Sequence, residues 1–282
     1  MEKKFWVGLF VVWPVAAVAV CWLAPSLGWW FPPNPADASG GTGSASEFGH
    51  RIDDLFYMIL VITSVTFILT HAALAYVMWK GSNVGDSEKA WFSHGSHSLE
   101  VIWTIVPAVI LLFIAFVQLD VWADYRVISK FPEEAKANAV AEITARQFEW
   151  RIRYPAPGKK LQDDPQPDDL YMVNELHVPS GRDVMIYLKT EDVQHAFFMP
   201  ELRVKQDAVP GLRIPIWFNA EKSETYTLVC AELCGWGHYK MGAEVIAESE
   251  ESFDSYMLRL QEEQNYDGIP VADADSEEDD EV

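Results

Sequence analysis

Cysteine is scarce in this chain of 282 residues: there are three, too few for a scaffold stapled by disulfides. Basic residues are also few, with 21 Lys and Arg against 42 Asp and Glu, giving a formal charge of −21 at pH 7. Binding phosphate requires a basic face, so this balance excludes a nucleic-acid partner. It suits a basic protein partner, or simply a saline setting. No Cys-x-x-Cys-His occurs, so no c-type haem is attached to this chain. After Trp122 no apolar run is long enough to cross a bilayer, and the remainder reads as a soluble domain with a tail.

Half of the chain is hydrophobic, and the apolar residues are clustered. Three stretches reach the roughly 20 residues that a membrane-crossing helix needs: Phe5 to Leu23, Leu55 to Trp79 and Leu99 to Trp122. Lys3 and Lys4 precede the first, and basic residues beside a leading apolar run tend to stay cytoplasmic, so three crossings place the C-terminal domain outside. A cleaved signal peptide is the competing reading of that first run. Pro14 and the lack of a small-residue cleavage pattern favour a retained anchor, and either choice leaves the domain on the outer face. Cys21 lies within the run and acts there as a small apolar residue.

Between the first two crossings, Phe31 to Gly49 is rich in Pro, Gly, Ser and Ala and reads as a linker. Lys80 to Ser98 is short enough for the second and third crossings to pack as an antiparallel hairpin. The organisation expected is therefore residues 1–30 as an N-terminal transmembrane helix or signal anchor, 31–53 as linker, 54–122 as hairpin, 123–263 as the soluble domain and 264–282 as an acidic tail. In that tail, Asp273 to Glu281 is a like-charge run of the kind that stays disordered.

From about Val140 the apolar pattern changes to period two. Phe148, Trp150, Ile152 and Tyr154 alternate with Glu149, Arg151 and Arg153, as on a strand with one buried face. Further strands are predicted at Leu170 to Leu176, Val184 to Leu188, Arg213 to Phe218, Thr225 to Cys230 and Met241 to Ala247, separated by turn residues. This spacing predicts an all-β sandwich or barrel. Phe253, Tyr256, Met257 and Leu260 fall on one face of a terminal amphipathic helix that packs on the domain or lies along the membrane.

Chemistry concentrates between Cys230 and Met241, where Cys230, Cys234, His238 and Met241 place two thiols, an imidazole and a thioether close together. Soft sulfur ligands combined with imidazole favour copper, above all where both of its oxidation states must be held. A second imidazole, His195, lies upstream in His195-Ala-Phe-Phe-Met-Pro-Glu-Leu202, at a distance suited to an adjacent strand. Structural zinc prefers Cys and His without a thioether, so Met241 counts against zinc. A disulfide between Cys230 and Cys234 is the simple alternative in an oxidising compartment.

The pattern Cys-x-Glu-x-Cys-x-x-x-His-x-x-Met with an upstream His resembles subunit II of cytochrome c oxidase, over residues 55 to 260. That family has a transmembrane helical hairpin followed by a cupredoxin-like Greek-key barrel, so the resemblance implies this fold with one extra N-terminal transmembrane helix. It also implies a binuclear copper centre of the CuA type. Cys230 and Cys234 would bridge both metals, His195 and His238 would bind one each, and Met241 and the Glu232 carbonyl would be weak ligands. The Glu232 side chain would hold magnesium at the contact with oxidase subunit I. Two bridging thiolates spread one electron over two metals, so the output is electron transfer rather than bond chemistry. Electrons would come from a c-type cytochrome and pass to the haems of subunit I, where oxygen is reduced and protons are pumped. Oxygen reduction needs several histidines spread over several membrane helices, and only His71 lies in a predicted crossing, so that step is not on this chain. Membrane lipid, subunit I and subunit III are the implied neighbours, in the bacterial inner membrane with the copper domain on the periplasmic side.

Further matches extend the resemblance. Glu100, in Leu99-Glu-Val-Ile-Trp-Thr-Ile-Val-Pro107, corresponds to the carboxylate at the mouth of a proton path into subunit I. A Glu in a first helical turn is equally favoured by the helix dipole. Phe148 stands where the family's tryptophan receives electrons and Trp150 matches the second aromatic of that stretch, although both also alternate as core residues. Lys205 and Asp207 match a stretch facing subunit I, or form a surface loop ion pair. The pairs Asp163 with Asp164 and Asp168 with Asp169 either attract a basic cytochrome or solvate a loop. Two other functions use related ligands: the small subunit of a copper-containing nitric oxide reductase, and a copper-delivery assembly protein on a thioredoxin-like scaffold. A metal-free quinol-oxidase subunit is disfavoured because every ligand type is present.

Overall fold

The computed structural model describes residues 2–27, 29, 43–82, 92–137 and 139–264. The acidic run Asp273 to Glu281, most of the Phe31 to Gly49 linker and half of the Lys80 to Ser98 loop lie outside the described residues. The chain divides into two compact units, residues 1–130 and 131–282.

Among its described residues the first unit contains three α-helices, α1 (Glu2–Leu23), α2 (Glu47–Ser82) and α3 (His97–Arg126). All three are long and apolar enough to cross a membrane. Most of their large apolar side chains face outward, as lipid-facing helices require. α2 starts inside the stretch read as linker, and a buried Ser44 just ahead of it donates its N–H to Asp53 Oδ2 (3.0 Å). It packs more extensively along α1 than along α3. Trp22 stacks on Tyr57 and Phe10 on His71, joining α1 to α2. α2 meets α3 through Arg51, which pairs with Asp124 (2.8 Å) and Asp120 (3.7 Å), and through Phe48 stacked on Tyr125. Elsewhere the hairpin is more open than its short loop suggests, leaving an apolar groove of about 760 Å³ between Ile62–His71 and Val106–Ile114.

Among its described residues the second unit contains a short α4 (Glu133–Ala137), ten strands and, after them, α5 (Glu250–Gln264). In chain order the strands are β1 (Ala139–Arg146), β2 (Glu149–Tyr154), β3 (Leu170–Val173), β4 (Glu175–Pro179), β5 (Asp183–Thr190), β6 (His195–Met199), β7 (Val204–Ala208), β8 (Ile214–Asn219), β9 (Thr225–Cys230) and β10 (Gly242–Glu248). They form two five-stranded sheets, ordered β3-β2-β1-β5-β8 and β4-β10-β9-β6-β7. Trp150, Ile152, Tyr154, Ile143 and Leu188 from the first sheet and Leu176, Phe197, Met199, Tyr226 and Leu228 from the second are buried between them. This is the cupredoxin-like architecture.

One predicted strand, Leu170 to Leu176, is two. Asn174 has φ +59°, a left-handed conformation that an asparagine tolerates, and the chain passes there from the first sheet to the second. Its side chain accepts the Trp150 N–H (2.8 Å), so the crossover is fastened to β2.

α5 packs on the domain through Phe253, Tyr256, Met257 and Leu260, the face predicted from the sequence. Burying a large apolar side chain is worth about 1.5–3 kcal/mol, so this face alone anchors the helix. Tyr256 stacks on His177, whose ring nitrogens meet Glu248 (2.5 Å) and Glu175 (2.8 Å). Arg182 holds Glu250 at the start of α5 with two hydrogen bonds. At its end, the Gln264 side chain accepts from Tyr171 N–H (2.9 Å) and donates to Tyr171 O (2.6 Å).

On the first sheet, Glu142 is buried and meets three cations: Arg213 (2.6 Å), Lys189 (2.7 Å) and Arg153 (3.0 Å). Burial pushes its carboxyl up, but hydrogen bonds from Lys189 and Arg213 and the charge of Arg153 outweigh this and hold it below 4.5. Of the acidic pairs considered as cytochrome attractors, Asp169 is buried against Arg153 (2.6 Å), Asp163 binds Arg213 (2.9 Å) and Asp168 binds Lys159.

Candidate metal centre

Strand pairing brings the sulfur and nitrogen donors together. β6 and β9 are antiparallel neighbours with Phe197 opposite Cys230, which sets His195 beside the thiol at the end of β9. Backbone bonds from Ala231 N–H to Ala196 O and from Cys230 N–H to Met241 O, both 3.0 Å, extend the pairing into the loop. That loop closes on itself through His238 N–H to Gly235 O (3.1 Å) and Met241 N–H to His238 O (3.2 Å).

Cys230 Sγ lies 3.8 Å from His195 Nδ1 and 3.8 Å from Cys234 Sγ. Cys234 Sγ lies 3.7 Å from His238 Nδ1 and 3.8 Å from Met241 Sδ. The Glu232 carbonyl turns inward and accepts from Cys230 Sγ at 3.2 Å. His195, Cys230, Cys234 and Met241 are buried. A disulfide needs its sulfurs about 2 Å apart, and these are free thiols. Among the described residues, His195, Cys230 and Cys234 form the cluster of His, Cys and carboxylate groups close enough to hold a metal ion.

Orientation of the first imidazole is fixed from behind. His195 Nε2 donates to Asp192 Oδ1 (2.8 Å), which leaves the Nδ1 lone pair facing Cys230. Asp192 also accepts from the backbone N–H groups of Gln147 (2.8 Å) and Val193 (2.6 Å). Burial raises the Asp192 carboxyl, but the His195 and backbone hydrogen bonds prevail and hold it below its ordinary range. Burial, then the neighbouring Cys230, pushes the Cys234 thiol up to about 11, so metal ligation must displace a proton. The donor set of two thiols, two imidazoles, a thioether and a carbonyl fits copper in both oxidation states.

Other residues singled out from the sequence divide into near and distant ones. Trp150 is fully buried, its ring edge-to-face with His195 at 6.2 Å. Phe148 lies in the turn before β2 rather than on the strand, half-buried, with Trp236 edge-to-face at 5.1 Å. It rests on the ligand loop: a Cβ on Gly237 would lie 2.5 Å from the Phe148 ring. Lys205 and Asp207 are on β7, not in a loop, and Asp207 is opposite Ala196 of β6. Asp207 accepts from Gln194 Nε2 (3.1 Å). Glu100 is in the first turn of α3, exposed, with its carboxylate folded towards Gly95. Not singled out in the sequence are Gln147 and Asp192, which touch Cys234 and His195, and Leu233, Trp236 and Tyr239, which are 78%, 76% and 83% exposed around the loop. Three large apolar residues at every third position of that loop are the legible signal; single polar residues give none.

The fold and the site together define a class: a membrane-anchored, cupredoxin-like protein with a thiol–imidazole cluster able to hold a metal ion. Residues 38–121 match the family model for the transmembrane domain of cytochrome c oxidase subunit II, and residues 154–250 match that for its periplasmic domain. Cytochrome c oxidase subunit 2 of Cereibacter sphaeroides is 31% identical over 77% of this chain and 80% of its own length. That of Thermostichus vulcanus is 28% identical over 77% of each. The solved periplasmic domain of cytochrome oxidase subunit II from Bradyrhizobium japonicum is 26% identical, covering 44% of this chain and 94% of its own, with a TM-score of 0.39. The chain belongs to the cytochrome c oxidase subunit II family. It is accordingly a membrane protein with an outer soluble domain, a component of a haem-copper oxidase.

Proposed function

We propose that this chain is the electron-accepting subunit of a terminal oxidase in a bacterial inner membrane. One observation carries the reading. Each thiol has its own imidazole, in the order His195, Cys230, Cys234, His238, with successive donor atoms 3.7–3.8 Å apart. A single tetrahedral ion does not need that near-symmetric chain, whereas a metal pair shared by two sulfurs does. His195, Cys230, Cys234, His238, Met241 and the Glu232 carbonyl would hold the pair. When bound, it supplies one-electron storage shared between two ions, with little rearrangement of its ligands.

The chain's own residues do the rest. Strand pairing and the Asp192 hydrogen bond hold the donors in place, and burial of His195, Cys230, Cys234 and Met241 keeps water from most of them. Leu233, Trp236 and Tyr239 give a c-type cytochrome an apolar surface directly over the site. Electrons enter through Trp236 and Phe148, while buried Trp150 steadies His195 from inside. Subunit I receives them; the Glu232 side chain would hold magnesium at that contact, Lys205 and Asp207 would face the same partner, and Glu100 would feed a proton path. Subunit III completes the complex.

The test is paramagnetic resonance of the full chain loaded with copper in detergent. The expected hyperfine pattern is that of one electron shared equally by two copper nuclei, abolished by Cys230→Ser or Cys234→Ser. A single-copper spectrum, or a copper-free chain with the two sulfurs joined, overturns the reading.

A further inference from the structure

The β6–β9 pairing is one connection between the segments that carry the ligands; a second runs through Gln147, in the turn between β1 and β2. Its backbone N–H donates to Asp192 Oδ2 (2.8 Å), and Asp192 Oδ1 holds His195 Nε2 (2.8 Å). Its side-chain Nε2 donates to the backbone carbonyl of Cys234. An unbroken hydrogen-bonded path thus leads from the His195 imidazole through Asp192 and Gln147 to the main chain of the second cysteine.

Local sequence makes room for this bridge. Gly235 has φ +139°, which disfavours any side chain, and a Cβ there would lie 2.7 Å from Gln147 Nε2. Next to it, the Phe148 ring occupies the space that a side chain on Gly237 would need. The turn is therefore seated on two glycines of the loop, and the amide reaches the Cys234 carbonyl, next to Gly235. Main-chain bonding alone could close the loop, as His238 to Gly235 shows, but it does not tie Cys234 to His195.

We propose that Gln147 is a positioning residue for the copper pair, its side-chain amide fixing the Cys234 carbonyl and with it the Cys234 sulfur relative to the Nδ1 of His195. The inference rests on the copper-centre reading above. Groups that orient metal ligands from behind typically contribute a factor of about 10–100 in metal affinity, and their displacement alters the electronic structure of the site. The Gln147 N–H bond to Asp192 is made by the main chain and survives any side-chain replacement, so substitution isolates the amide.

The experiment compares the full-length copper-loaded chain with Gln147→Ala, which removes the side chain, Gln147→Glu, which keeps its shape without a donor, and Gln147→Lys, which restores one. Copper loss to a chelator and the copper hyperfine pattern are measured, and thermal melting of the metal-free chains is the control for folding. Copper loss about tenfold faster and an altered hyperfine pattern are expected in the Ala and Glu variants, with partial recovery in Lys and melting temperatures close to wild type. Wild-type spectra and loss rates in both Ala and Glu variants overturn the proposal. If one of the two fails to fold, the other decides. A wild-type chain that shows no paired-copper signal sinks the copper reading itself, and this inference with it.

Discussion

Asp192 Oδ1 and His195 Nε2 are 2.8 Å apart, so the carboxylate selects the imidazole tautomer whose free lone pair faces the sulfurs. Asp192→Asn keeps the shape but removes the charge and one of the acceptors that hold the turn. Copper affinity of the full chain is expected to fall about tenfold, as for other groups that orient a metal-bound histidine. Competition with a chromogenic chelator measures it, and an unchanged affinity would refute the orienting role.

Gly237 cannot be enlarged while the Phe148 ring is in place. Gly237→Ala places a methyl 2.5 Å from the Phe148 ring, and the resulting overpacking costs about 1–3 kcal/mol. Adding Phe148→Ala should return part of that loss, so the double variant is expected to be more stable than the sum of the single effects. Denaturant titration of all four chains checks this; strict additivity would show that the ring does not rest on the loop.

Glu142 makes stability depend on pH in a definite direction. Its folded carboxyl is held below 4.5, so the folded chain binds fewer protons than the unfolded one as pH falls through that region. The stability it contributes is present above about pH 4.5 and is lost below it, as pH falls through the folded value. Glu142→Gln leaves Arg153, Lys189 and Arg213 around an uncharged group and should destabilise the domain by about 3–5 kcal/mol at neutral pH. Melting curves from neutral to acid pH should converge for the two proteins; parallel curves would rule out this origin for the acid sensitivity.

Trp236 is the largest exposed side chain on the ligand loop, and aromatic anchors of this kind commonly carry much of an interface's affinity. Trp236→Ala is expected to weaken binding of a basic c-type cytochrome to the full chain about tenfold, with the copper spectrum unchanged. Titration at fixed ionic strength measures it. Equal affinity for wild type and variant would place the docking surface elsewhere.

Much of the architecture is legible in the sequence. The three membrane helices follow from apolar length, and β2, β5, β8, β9 and β10 from alternation and turn residues. The Cys230-to-Met241 loop is singled out from residue type and spacing alone. β6 escapes because Phe197, Phe198 and Met199 form a continuous apolar run, which has no period, and β7 because Lys205, Gln206 and Asp207 put three polar residues between its two buried ends. The division at Asn174 depends on one left-handed backbone angle that composition does not reveal. Phe148 keeps the alternation of β2 but belongs to a turn, where contact with two distant glycines outweighs the local pattern. Gln147 and Asp192 come to the ligands only once the sheets have formed, so neither could be chosen over any other polar residue beforehand.

The closing amide of α5 has a consequence for life at crowded membrane surfaces. β3 borders the first sheet, and a bordering strand with open N–H and C=O groups invites a strand from another molecule. Gln264 meets both groups of Tyr171 with one side chain, as a foreign backbone would. A glutamine at the tip of a helix thereby acts as a molecular bumper, discouraging neighbouring copies from fusing edge to edge without adding a further strand.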